Sequence, residues 1–61
     1  MQVHLTIVAT DQSQQRREIR SYDWDEQEQK AMDDLEIVSL ALGGTNLRAF
    51  LVYSDGGIAA P

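Results

Sequence analysis

Apolar and polar residues alternate from Val3 to Ala9, with Val3, Leu5 and Ile7 on one side and His4 and Thr6 on the other. A period of two is the mark of a strand with one buried face. The polar stretch Thr10 to Gln15 predicts a turn. Arg16 to Tyr22 predicts a second strand, whose strong apolar residues, Ile19 and Tyr22, fall on opposite faces. Its charge suits a sheet edge, where charged side chains discourage stray pairing.

The period then changes. Trp24, Ala31, Leu35, Val38 and Leu42 recur at helical spacing and form a narrow stripe, with Met32 at its margin. Asp23 stands where an N-cap would, and Glu26 three residues on completes a capping box. Asp25, Glu26 and Glu28 place negative charge in the first turns, which favours the helix dipole. Gly43-Gly44 supplies a left-handed stop. The spacing therefore predicts a helix over 24–42. Leu47 to Tyr53 predicts a third strand, Ser54-Asp55-Gly56-Gly57 ends it, and Ile58 to Pro61 reads as a frayed tail.

These elements predict one small α+β domain over residues 1–61, with the order strand, strand, helix, strand. The first two strands form a hairpin, and a right-handed crossover sets the third beside the first, antiparallel to it, in a sheet of order 2-1-3. A 19-residue helix spans about 28 Å at 1.5 Å per residue, enough to cross the sheet end to end on one face. The expected core is Val3, Leu5, Ile7, Ile19, Leu47, Ala49 and Leu51 against Trp24, Ala31, Leu35, Val38 and Leu42. Leu35 to Leu42 also satisfies a strand pattern that Gly43 to Asn46 would turn into the next strand, giving the alternative ββαββ.

Composition sharpens this picture. The chain has 61 residues and no cysteine, so neither disulfides nor a thiolate zinc site can supplement a small core. A domain of this size buries only about 60% of the surface its unfolded chain exposes, which leaves good packing or a partner chain as the sources of stability. The apolar runs fall short of the ~20 residues of a membrane span. The start, Met1-Gln2-Val3-His4, has no signal-peptide pattern. An intracellular, cytoplasmic protein without membrane contact is the expectation. Ten acids against five bases give a net charge of −5, which disfavours direct binding to nucleic acid and favours a basic partner, or simply serves solubility.

Catalytic chemistry finds little support. His4 is the one histidine. Ser13, Ser21, Ser39 and Ser54 could each be written into a Ser-His-Asp set, but no G-x-S-x-G elbow fixes one of them. Gly43-Gly44-Thr45 lacks the lysine and spacing of a phosphate loop. The carboxylates after Asp23 fail the calcium-loop pattern, since Glu28 and Asp34 occupy the positions of its glycine and last glutamate. Neither a cofactor nor a metal is expected, and the expectation is a non-enzyme.

The strongest signal is charge segregation. Residues 23–36 hold seven carboxylates and one base, Lys30, a local charge of −6. On a helix, Asp25, Gln29, Asp33 and Glu36 line up away from the apolar stripe with Glu26 beside them. Neighbours on such a face stand about 5–6 Å apart and repel. Such a face is either solvated or aimed at a basic groove, where carboxylates can stand in for phosphates. The second signal is an apolar surplus. The third strand is hydrophobic on both faces, so Val8, Phe50 and Val52 would lie on the side that one helix cannot cover, and Ile37 and Leu40 lie opposite the helix's core stripe.

In size, acidity and lack of catalytic residues the chain is similar to phage-encoded inhibitors of bacterial defence such as anti-CRISPR proteins. The similarity is one of general character and transfers no residue role. The expected function is a non-catalytic protein-binding module that offers Asp25, Glu26, Gln29, Asp33 and Glu36 to a basic, nucleic-acid-binding protein, as a homodimer or member of a complex. The alternative is a structural or assembly subunit of a homo-oligomer joined through Val8, Phe50 and Val52. A third reading is a small enzyme or ligand-binding domain at a dimer interface, lined by His4 or the carboxylates.

Overall fold

The computed structural model describes residues 1–11 and 15–61. Four strands and one helix follow in the order β1 (Gln2–Ala9), β2 (Arg16–Asp23), α1 (Trp24–Ala41), β3 (Leu47–Tyr53) and β4 (Ile58–Ala60). They form an antiparallel sheet of order β2-β1-β3-β4 with α1 packed on one face. The domain is α+β, and Leu35 to Ala41 is helix rather than strand. Part of the predicted turn, residues 12–14 with Ser13 among them, lies outside the described residues.

The core is the seam between the alternating side of the sheet and the stripe of the helix. Val3, Leu5, Ala49 and Leu51 meet Ala31 and Leu35 there, all buried, with Trp24, Val38 and Leu42 packed around them. Ala31 has no accessible surface, and its small side chain lets the helix backbone approach the strands. At one end the Trp24 and Tyr53 rings meet edge to face, centroids 6.3 Å apart. At the other end Leu42 packs against the core, and Ser39, Leu42, Leu47, Ala49 and Pro61 border an open cleft of about 180 Å³. The helix thus leaves the hairpin end open, where Ile7, Ala9 and Leu47 line a shallow basin with Arg16 and Arg17. Ile7 and Leu47 are only half-buried, which corrects the expectation of end-to-end cover.

A bulge explains the largest departure in the core. Leu5 pairs with Arg20 but Thr6 pairs with Glu18, so Ile19 is the extra residue in β2. The period of two breaks there. Tyr22, opposite Val3, enters the core at 2% exposure while Ile19, expected in it, is 44% exposed. Ile19 and Tyr22 border one cleft beside α1 with Arg20 and Asp34, rather than facing opposite ways.

The helix starts on its expected cap, with a change of partner. The Asp25 N–H donates to Asp23 Oδ1 at 3.1 Å, but the reciprocal bond runs from the Asp23 N–H to Gln27 Oε1 at 3.0 Å. Gln27 has a non-helical φ of −120°, which brings its side chain back to the cap and leaves Glu26 exposed. At the far end, Leu42 caps the helix and Gly44 takes the left-handed φ of 84°.

The expected frayed tail over 58–61 is corrected by β4. Its pairing sets Ala60 opposite Leu51 and Ile58 opposite Val52. Gly56, at φ 97°, makes the turn, and the Tyr53 N–H donates to the Gly57 carbonyl at 2.6 Å. Ala60 is buried in the core.

Leu51 lies at the centre of this seam with no exposed surface, whereas Leu40 is 75% exposed. Leu51→Ala should cost about 2–5 kcal/mol, most of the ~3–9 kcal/mol expected for a domain of this length. Leu40→Ala should stay within about 0.5 kcal/mol. Urea unfolding of the two variants beside the wild type checks the assignment, and equal losses would contradict it.

Candidate functional site

The helical period turns Asp25, Glu26, Gln29, Asp33 and Glu36 away from the sheet, and all five are exposed. Asp25 lies near a cation, its Oδ2 3.2 Å from the Met1 amino group. Gln29 Nε2 donates to Asp33 Oδ1 at 2.9 Å, which orders that carboxylate without neutralising it. Among the described residues no ion pair reaches Glu26, Glu28, Asp33 or Glu36. Ile37 and Leu40 close the same outward face, 64% and 75% exposed.

Four of the five basic side chains lie in the other layer, and the fifth, Lys30, is on α1. Arg16, Arg17 and Arg20 are on β2 and Arg48 is on β3. One pair crosses between the layers. Asp34, on the flank of α1, accepts from the Tyr22 hydroxyl at 2.6 Å and from Arg20 Nη1 at 3.3 Å. The Tyr22 bond, joined by the nearby charges of Lys30 and Arg20, holds the Asp34 carboxyl below its ordinary 3.8, against the opposing effect of desolvation. Burial, helped by the adjacent carboxylate, raises the Tyr22 phenol above its ordinary 10.0. A phenol shifted this way keeps its proton and is a poor base or nucleophile. The pair latches β2 to α1.

The helix-free face of the sheet is set by register. Val8 stands between Arg16 and Arg48, Thr6 between Glu18 and Phe50, and His4 between Ser21 and Val52. Thr6, Val8, Phe50 and Val52 share a shallow groove of about 220 Å³ with Arg16 and Ile58. Val8, Phe50 and Val52, expected to lie together on this side, do so and are half-buried.

That face also holds a constellation that the sequence did not reveal. His4 Nδ1 lies 2.8 Å from Ser21 Oγ and 3.7 Å from Glu18 Oε2. A serine relay needs the hydroxyl on one ring nitrogen and the acid on the other. Here both partners address Nδ1, so the cluster is a cross-strand polar contact and not a relay. Of the other serines, Ser54 donates to the Gln2 carbonyl at 3.1 Å and Ser39 lies on α1. Register would have predicted the His4–Ser21 pair had the bulge been known. Among the described residues, no three metal-ligating side chains converge on one point, and no helix is long and apolar enough to cross a membrane.

The two shifts fix the sign of a pH effect. The lowered Asp34 value adds stability above about pH 4 that is lost as pH falls through it. The raised Tyr22 value adds stability below about pH 10 that is lost as pH rises through it. Tyr22→Phe should therefore be less stable than wild type at neutral pH, with the gap closing at both extremes. Urea midpoints from pH 2 to 11 test this, and a gap constant across that range would contradict the latch.

Set beside known proteins, this chain matches no family model, no curated protein and no solved structure.

Proposed function

We propose that this protein is a non-catalytic binding module, an inhibitor or regulator, that offers the outward face of α1 to a basic, nucleic-acid-binding protein in place of a phosphate backbone. One observation carries the reading. Glu26, Asp33 and Glu36 stand exposed in a column with no ion pair among the described residues, although the chain's four arginines lie in the adjoining layer. The column is about 15 Å long at 1.5 Å per residue.

Stability alone favours mixed signs on a helix surface. A concentrated negative face instead costs repulsion within the free protein, and a basic groove relieves it on binding. It also speeds encounter with such a groove and rejects other acidic surfaces. A non-catalytic role is supported by the chemistry of two polar groups: Tyr22 is held protonated, and His4 has both partners on one nitrogen.

The test uses immobilised wild-type protein and the Glu26→Lys/Asp33→Lys double variant to capture proteins from a lysate at low salt, followed by elution with duplex DNA. Captured nucleic-acid-binding proteins should be displaced by DNA, and the variant should bind them more than tenfold more weakly with its helical circular dichroism intact. Capture that DNA leaves in place and that charge reversal does not weaken would refute the proposal.

A further inference from the structure

We infer that the helix-free sheet face of one copy receives the outward face of α1 from a second copy, so that the chain associates with itself head to tail. The inference stands apart from the target-binding reading, since it concerns what covers the sheet. The two faces complement each other in charge and in apolar content. The sheet face presents Val8, Phe50, Val52 and Ile58, with Arg16 and Arg48 on either side of Val8. Glu18, on the β2 rim of that face, is engaged with His4 at 3.7 Å. The helix face presents Asp33 and Glu36, followed by Ile37 and Leu40, which remain largely exposed.

The spacing matches as well as the composition. Along α1, the midpoint of the two acids and the midpoint of the two apolar residues are four residues apart, about 6 Å at 1.5 Å per residue. Along β3, Arg48 and Phe50 are two residues apart, about 6.6 Å at 3.3 Å per residue. An α1 laid along β3 therefore sets its acids over the arginine row while Ile37 and Leu40 come over Phe50. A helix against this face repeats the contact that α1 makes with the opposite face inside each copy.

The geometry also fixes the kind of assembly. The donor face and the acceptor face lie on opposite sides of the same sheet, so two copies cannot satisfy both at once. Such a heterologous contact propagates into open chains or closes only as a larger ring. Every α1 face engaged this way is withheld from any other partner, and self-association and target binding are mutually exclusive at each helix.

Sedimentation across a concentration series tests this with two surface variants. Ile37→Ser/Leu40→Ser removes the donor anchors from exposed positions, and Arg16→Glu/Arg48→Glu reverses the acceptor charges at exposed positions. Wild-type protein should grow past dimer as concentration rises. Each variant alone should stay monomeric with its circular dichroism unchanged. An equimolar mixture should form a 1:1 dimer, because one variant keeps an intact sheet face and the other an intact helix face. A monomeric wild type, a wild type that stops at dimer, a mixture that stays monomeric, or an Ile37→Ser/Leu40→Ser variant that still associates would each overturn the inference. The last outcome would mean that two sheet faces pack on each other.

Discussion

One helix can cover one face of one sheet, and in a chain of 61 residues without cysteine that single seam has to hold the fold. Leu5, Leu51 and Val3 from the sheet and Ala31 and Leu35 from α1 make it, each at 4% exposure or less. The rest of the structure is arranged around this seam. Trp24 and Tyr53 close one end, Leu42 packs at the other, and Tyr22 ties the outer strand to the helix through Asp34. The two surfaces left over, the back of the helix and the back of the sheet, are free to carry other chemistry.

What they carry differs by layer. The helix holds six of the ten carboxylates and one base, Lys30, while the sheet holds the four arginines, with Glu18 and Asp23 on β2. Asp34 shows what a neutralised acid looks like in this protein: 23% exposed, bonded to a phenol and a guanidinium, and lowered in pKa. Among the described residues, Glu26, Asp33 and Glu36 make no ion pair, and Asp33 accepts a hydrogen bond from the neutral Gln29 amide. Their charge remains on the surface and is available to an external cation, which is the physical content of the proposed role.

The helix, three strands and the 2-1-3 order were legible because periodicity carries them. The outward set Asp25, Glu26, Gln29, Asp33 and Glu36 was legible for the same reason, since a helix face follows from spacing alone. Three features were not. The bulge at Ile19 shifts the register of β2 by one residue, and no residue type in Arg16 to Tyr22 announces it. Without it, Tyr22 could not be placed in the core nor Ser21 beside His4. β4 consists of an isoleucine and two alanines after a Gly-Gly turn, too short for a pattern, and its strand character comes from pairing with β3. The Gln27 cap depends on a backbone kink that the sequence does not encode by periodicity.

The central claim is that the α1 carboxylates form the contact with a basic partner. Carbodiimide labelling of exposed carboxyl groups, read by mass spectrometry at dilute protein with and without a captured partner, addresses it residue by residue. Labelling of Glu26, Asp33 and Glu36 should fall in the complex, while Asp55, exposed in the β3–β4 turn with its Oδ1 on the Gly57 N–H, should label as before. Unchanged labelling along α1 in a complex that protects other surfaces would contradict the account.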